Sequence, residues 1–430
     1  MSAPLDIAIA GLGTVGAGTL KLLHDHADLI EQRCGRPIRV RAVAARDRSR
    51  DRGADLSDVE WFDDAVAMAK GAKAEVVVEV IGGSEGVAKK VCEAAIASGK
   101  HLVTANKALL AHHGVALARA AEAKGVSLHY EAAVAGGIPI IKGLREGLAG
   151  NGIARLYGIL NGTSNYILTA MRETGRDFAD VLDEARRLGY AEADPSFDID
   201  GIDAAHKLAI LTSVAFGCET NFEGVYVEGI RHVSALDIAF ADELGYRIKL
   251  LGITRLTEHG VEQRVHPCMV PVRNAIAHVE DVNNAILVEG DFAGNIVFQG
   301  RGAGAGPTGS AIVADLIDIA RGTRLNTFSV PADRLARIPV SPMERHRGAY
   351  YIRLMVVDQP GVIADIAAAL RDCNISMESF LQHGRAPVGA VPVVLTSHET
   401  EEAAMNRAVK RIGELKTVLE PPRMIRIEPL

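Results

Sequence analysis

The segment DIAIAGLGTVGAGTLKLL, starting at Asp6, constrains this chain more than any other stretch. DIAIAG has the apolar run of a short strand buried on both faces. GTVGAGTLKLLHDHADLI reads as the helix that follows. Where they meet, Gly11, Gly13 and Gly16 make G-x-G-x-x-G, with Thr14 and Val15 inside the motif. Such a turn is tight, lets a pyrophosphate approach the backbone, and aims a helix N-terminus at it. The string alone is a weak signal. At the first strand-to-helix turn, dinucleotide binding is preferred over a glycine-rich turn selected for packing.

The alternation continues through residue 135. IRVRAVAA, EVVVEVIGG, HLVTANK and VSLHYEAAV read as strands, and SEGVAKKVCEAAIASGK and ALLAHHGVALARAAEAKG as helices. Repeated β-α-β order in an α/β chain implies a parallel, doubly wound sheet of the Rossmann type over 1–135. Arg46, Gly82, Gly83, Asn106, Lys107 and Glu131 each follow or close one of these strands. In a parallel sheet those ends share one edge, where ligands bind. VAARDRSR sets Arg46, Arg48 and Arg50 around Asp47. A guanidinium fork suits a 2′-phosphate, so NADP is the expected cofactor. Asp47 keeps NAD open, and a solvated charge run is the plain alternative.

Residues 136–306 are more mixed, with helices near 165–190 and 201–217 and strands such as IKLLGITRLT and AILVEGD. They are expected to form an α+β domain. FSVPADRLARIPVSPMERHRG is rich in Pro and Arg and weakly periodic, so 327–348 reads as a linker. From Ala349 to Leu430 the order is βαββαβ, a small ferredoxin-like domain. The 430 residues allow two to four domains, and 48% hydrophobic residues supply their cores. A net charge of −7 argues against nucleic acid or an anionic membrane as partner. The N-terminus has no signal-peptide pattern, no apolar run is long enough to span a membrane, and the five scattered cysteines lack metal spacing. A cytoplasmic protein is expected.

DIDGIDAAHKLAILTSVAFG, from Asp198, carries the second candidate constellation. Its helix is expected to begin near Gly201 or Ile202, after an irregular loop ADPSFD. At helical spacing Asp203, Lys207, Ile210, Leu211 and Val214 share one face. An exposed i,i+4 pair contributes only about 0.3–0.5 kcal/mol, whereas each buried ion carries a large desolvation cost. A lysine in line with the apolar stripe therefore favours a cleft where it meets substrate. His206 and Asp200 read as solvated surface or structure. Lys107 lies where the nicotinamide half of a dinucleotide would sit. NGTSN, 161–165, is a turn or a polar substrate contact. GRGAGAGPTGS, 300–310, is a flexible linker or a loop closing over the cofactor as the chain returns to the sheet. In YEAAVAGGIPII, Glu131 and nearby carbonyls form either an oxygen-lined cation site or only a hinge.

Together GLGTVG, TANKALLA, EAAVAGGIPII, LNGTSNYIL, GYAEADPSFDIDGIDAAHKLAIL and GRGAGAGPTGSAIVADL resemble the homoserine dehydrogenase family over nearly the whole chain. The tail with DQPGVIADIAAAL resembles an ACT domain, as on regulated monofunctional bacterial members. The resemblance implies NAD(P)-dependent interconversion of L-homoserine and L-aspartate 4-semialdehyde. It makes Lys207 the proton donor and Asp203 its partner, with Glu192 and Asp203 at the substrate's amine and hydroxyl. Asp198 and Thr163 join the substrate site, and Lys107 touches cofactor and substrate. Gly189 and Gly304 lie against the cofactor. Glu131 and the carbonyls of Val134, Gly136 and Ile138 match a monovalent cation site, usually sodium. The fold it implies returns helix 307–326 to the nucleotide sheet and dimerises through the middle domain, as a homodimer or homotetramer. Asp358, Gln359, Pro360, Gly361 and Val362 would meet an amino-acid effector, L-threonine. Another oxidoreductase of a small amino acid, or a nucleotide-binding sensor without catalysis, are the competing readings.

Overall fold

The computed structural model describes residues 3–53, 55–383 and 389–430. Six strands, β1 (Leu5–Ala10), β2 (Ile38–Ala44), β3 (Glu60–Phe62), β4 (Val76–Glu79), β5 (His101–Thr104) and β6 (Leu128–His129), pair in parallel in the order β3-β2-β1-β4-β5-β6. Between them run α1 (Thr14–Asp25), α2 (Ala27–Cys34), α3 (Ala65–Gly71), α4 (Val87–Ala97) and α5 (Lys107–Lys124). Ile7 and Ile9 of β1 face α1, while Ala8 and Ala10 face the layer holding α3–α5. Apolar residues on both faces bury the sheet completely, as the unbroken apolar runs require. The strand order reverses between β1 and β4, and the crevice at that point lies beyond the strands' C-terminal ends. The strand expected in VSLHYEAAV stops at His129. The Glu131 N–H donates to the buried Asp315 carboxylate at 2.9 Å, and the chain enters a 3-10 turn.

The middle of the chain contains α6 (Ile140–Lys142), β7 (Ile153–Ile159), α7 (Gly162–Thr174), α8 (Phe178–Arg187), α9 (Ser196–Ile199) and α10 (Ile202–Phe216). It continues with β8 (Tyr226–Val227), α11 (Ala235–Glu243), β9 (Tyr246–Thr257), β10 (Gly260–Pro271), β11 (Asn283–Gly290) and β12 (Gly294–Arg301). Helix α12 (Ala305–Ala320) then packs beside α1 against the first sheet, which places it in that sheet's outer layer. It starts two residues before the expected 307–326 and ends six before it, where Gly322 (φ 77) follows.

The last segment contributes β13 (Arg347–Val357), α13 (Val362–Asp372), β14 (Met377–Gln382), β15 (Ala390–Ser397), β16 (Thr400–Glu401), α14 (Glu402–Gly413) and β17 (Arg423–Ile427). Its antiparallel order β17-β13-β15-β14 is ferredoxin-like, with α13 and α14 on one face. This sheet is not separate from the middle one. β17 pairs in parallel with β10, Cys268 opposite Arg426 and Met269 opposite Ile427, so one mixed eleven-stranded sheet spans both segments. The expected linker 327–348 is also packed rather than free. Phe328 and Ala332 are buried, Ala336 N–H donates to Gly217 O at 2.9 Å, and Ser341 N–H donates to Val261 O at 2.8 Å. Its weak periodicity reflects a strap fitted to a groove, where no single face repeats.

Candidate active site

The nucleotide edge is built first by backbone fit. Gly11 has φ +103, and a Cβ there would lie 2.8 Å from the Val80 carbonyl; at Gly16 it would collide with the Gly11 carbonyl. A Cβ on Gly13 would meet no atom of the described residues within 4 Å, so that glycine faces open space. A contact unrecognised from the motif is Gly18, whose missing Cβ admits the Ala305 backbone. It seats the start of α12, and hence Gly304, beside α1. The turn after β4 is held by Glu79. Its buried carboxylate accepts from Ile81 N–H (2.8 Å), Gly82 N–H (3.0 Å) and the Thr104 hydroxyl (2.6 Å). Asn106 donates to Gly83 O at 2.8 Å and caps α5 by accepting from Leu109 N–H at 3.1 Å. Glu79 belongs to no motif in the sequence, though an acid closing an all-valine strand is a visible signal.

At the same edge α5 starts with Lys107, whose Nζ lies 2.8 Å from Asp203 Oδ1. Asp203 Oδ2 accepts from Lys207 Nζ at 2.7 Å and from Asn161 Nδ2 at 2.9 Å. Lys207 also donates to Leu160 O at 2.7 Å. Asn161 Nδ2 bonds Asp198 Oδ1 at 2.7 Å, and the Thr163 hydroxyl lies 3.1 Å from Asp198 Oδ2 while donating to Tyr190 O at 2.7 Å. NGTSN, by sequence a turn or a polar substrate contact, forms the first turn of α7, capped by Asn161, which accepts from Ser164 N–H at 2.8 Å. One asparagine therefore starts a helix with its oxygen and joins two acids with its nitrogen.

Every residue of α10 from Asp203 to Val214 is buried, with Asp203 3% and Lys207 7% exposed. Lys107 lies at the mouth, its side chain 34% exposed, beside the ring of Phe197. The two lysines share one acid but respond differently. Burial lowers Lys207 below the ordinary lysine value, Asp203 offsetting it only in part and Lys107 adding to the fall. For Lys107 burial also acts downward, but the Asp203 charge and hydrogen bond prevail and raise it. Asp203 falls well below the carboxylate range: burial opposes this, and Lys207 and Lys107 overcome it. Asp198 is raised, mainly by burial.

The other expected residues fall in distinct places. Gly189 (φ 76) follows α8 and is exposed, as is Glu192, which bears on the site through its charge on Lys107. His206 is not surface: it is 5% exposed, bonded through Nδ1 to Ile202 O at 2.9 Å, and stacked 4.2 Å from the Phe222 ring centroid. Burial lowers its pKa to about 4, so it is neutral at pH 7. Asp200 is paired with Arg231. Both Glu131 carboxylate oxygens accept backbone N–H groups, from Ile141 at 2.9 Å and Lys142 at 2.8 Å. Burial and then Asp315 push that carboxyl up to about 7. Asp358 to Gly361 are exposed ahead of α13, and Val362 is buried.

A family model described as homoserine dehydrogenase matches residues 139–317, and one for the homoserine dehydrogenase NAD-binding domain matches 11–131. A homoserine dehydrogenase of Pseudomonas aeruginosa is 46% identical, covering 99% of each chain. A crystal structure of a homoserine dehydrogenase from Thiobacillus denitrificans superposes with TM-score 0.93 at 47% identity over 99% of each chain. A hyperthermophilic archaeal homoserine dehydrogenase solved in complex with NADPH is 28% identical, TM-score 0.65, over 75% of this chain and 99% of its own. The buried Asp203–Lys207 pair thus lies within the first of these matches and the glycine turn within the second, and the chain belongs to the homoserine dehydrogenase family.

Proposed function

We propose that Lys207 moves the proton in the family's reaction, the NAD(P)-dependent interconversion of L-homoserine and L-aspartate 4-semialdehyde. The observation that carries this is one buried carboxylate, Asp203, held between Lys207 and Lys107 at the nucleotide edge. The bound nicotinamide supplies the hydride acceptor or donor. In the oxidative direction neutral Lys207 takes the proton of the substrate hydroxyl at Nζ. In reduction its ammonium donates that proton to the alkoxide oxygen, where negative charge develops. Asp203 orients Nζ, and Asp198, Glu192 and Thr163 receive the substrate's polar groups, with Lys107 between substrate and cofactor.

NADP is the preferred cofactor in this reading. The Asp47 carboxylate is occupied by the Ser49 N–H (2.9 Å) and hydroxyl (2.7 Å), while Arg46 stands exposed beyond β2 without an ion pair among the described residues. The archaeal relative solved with NADPH supports it. Arg46→Glu should lower kcat/KM for NADP relative to NAD by roughly ten- to a hundredfold, the worth of a charge-assisted bond. Steady-state kinetics with both cofactors checks this, and an unchanged ratio contradicts it.

We infer a sodium site in the loop after Glu131, supported by its free carbonyls, although Ile138 O already accepts from Ile140 N–H at 2.8 Å. The carbonyls of Val134 and Gly136 accept no hydrogen bond among the described residues, and Ala135 between them has φ 55. Hard oxygen donors of this kind suit a hard cation. These carbonyls, with Glu131 and Ile138, would hold it and fix the junction between the first sheet and α6. The 347–427 segment serves as an ACT domain in this account, with L-threonine at Asp358, Gly361 and Val362. The edge strand β12, ending the sheet with Val297 exposed, supports dimerisation through the middle segment, as a homodimer or as half of a homotetramer. Five free cysteines, and no helix among the described residues long and apolar enough to cross a membrane, are consistent with a cytoplasmic setting.

A further inference from the structure

The catalytic acids sit at a corner. α9 ends at Ile199, Gly201 (φ +85) turns the chain, and α10 begins. Asp198 and Asp203 flank that turn, which Gly201 N–H closes onto Asp198 O at 3.1 Å and Asn161 Nδ2 spans by bonding both acids. A second clamp, on the backbone of the corner, comes from the segment beginning at β8. Ile230 N–H donates to Ile199 O at 2.8 Å. Gly229 lies so close that a Cβ would collide with Ile199 O and sit 2.5 Å from Asp200 Cα. Arg231 pairs with Asp200, and Val227 and Val265 side chains lie 3.1 and 3.2 Å from where a Gly201 Cβ would be.

That segment is itself anchored at Glu228. Its N–H donates to Val265 O of β10 at 2.8 Å. Its carboxylate accepts from Arg426 Nη1 at 2.9 Å and lies 3.2 Å from the Tyr226 hydroxyl. Arg426 belongs to the last strand, β17, and is only 2% exposed. It also bonds the buried Glu402 at the start of α14, to which Tyr350 OH donates at 2.9 Å. A buried guanidinium gripped by two carboxylates has one place to stand.

From this geometry we infer that Glu228 and Arg426 are positioning residues for the homoserine dehydrogenase reaction: the chain's last strand sets, through their ion pair and the Gly229–Arg231 segment, the spacing of Asp198 and Asp203 at the α9–α10 corner. The inference rests on the proposed roles of those acids. It gives the terminal segment a part in turnover even with no effector bound.

The test is Glu228→Gln in the full-length protein, an isosteric change on a side chain 36% exposed. A misplacement of about 1 Å costs up to roughly a hundredfold in rate, so kcat should fall roughly ten- to a hundredfold. The KM for NADP should stay constant, because the nucleotide turn is built on other elements. Lys207 faces Asp203 on its own helix, Lys107 of α5 and Asp198 of α9. Asp198, the acid across the corner from Lys207, raises it, so loosening the corner moves the kcat limb of Lys207 to lower pH. Arg426→Lys, which keeps the charge, should recover part of the rate lost in Arg426→Met. A folded Glu228→Gln protein with wild-type kcat overturns the inference. So does a loss in which the KM for NADP rises in parallel and the pH limb stays fixed, the mark of general loosening. If the Asp203 and Lys207 variants keep normal turnover, the catalytic reading fails instead, and that result is separate from this one.

Discussion

Lys207→Ala loses kcat by roughly a thousandfold in both directions, within the range for a positioned acid–base group, while the protein still binds NADP. The argument is local. Among the described residues Lys207 Nζ has two partners, Asp203 and the Leu160 carbonyl, both acceptors on the protein. An ammonium has three N–H donors, so one remains for a substrate oxygen. The nucleotide turn lies on β1 and α1, and its fit depends on Gly11 and Gly16, not on α10. Cofactor affinity therefore survives. Removing the ammonium from beside Asp203 also leaves a buried acid with Lys107 as its remaining cation, so some stability is lost too. Rapid-quench or steady-state rates, together with a fluorescence titration of NADPH, separate chemistry from binding. Turnover near wild type removes Lys207 from the mechanism.

Asp203→Asn has the second large effect, on stability as well as rate. The amide keeps the shape but removes the charge between two cations, one of them almost fully buried. Breaking a buried pair costs about 3–5 kcal/mol, and Lys207 also loses the group that orients it. The depressed Asp203 carboxyl contributes stability above the ordinary aspartate value, and the contribution is lost as pH falls through its lower folded value. The gap in Tm between the wild type and Asp203→Asn should therefore be full at neutral pH and narrow in strong acid. Calorimetry at several pH values measures it. An equal gap at neutral and very low pH would mean that the charge contributes nothing.

Much of this arrangement is legible in local sequence. The parallel sheet follows from apolar strand runs alternating with helices, and its ligand edge follows from the polar residues that close those strands. The helical face of Lys207 is a weaker signal than it looks, since α10 is buried all round and even His206, a quarter-turn away, is inside. The informative pattern is a helix otherwise almost wholly apolar that spends its first two turns on Asp, His and Lys. What is not legible depends on long-range pairing. Two residues of β17 joining β10 merge two sheets, and no local periodicity encodes a two-residue contact across more than a hundred positions. The strap 327–348 hides for the same reason: its buried residues answer to a groove made by other elements. Glu79 is hidden by its dual role, serving the turn after β4 and the Thr104 hydroxyl at once, and within NGTSN nothing local shows that Asn161 joins two distant acids.

The pH dependence of wild-type kcat in both directions decides whether Lys207 carries the proton. Lys207 must be neutral to take the hydroxyl proton and charged to return it, and burial holds its pKa below 10.5. Homoserine oxidation should rise, and semialdehyde reduction should fall, along the same limb centred below that value. The limb should vanish in Lys207→Met. Profiles flat across that range, or a limb that persists unchanged in the methionine variant, would contradict the assignment of the proton to Lys207.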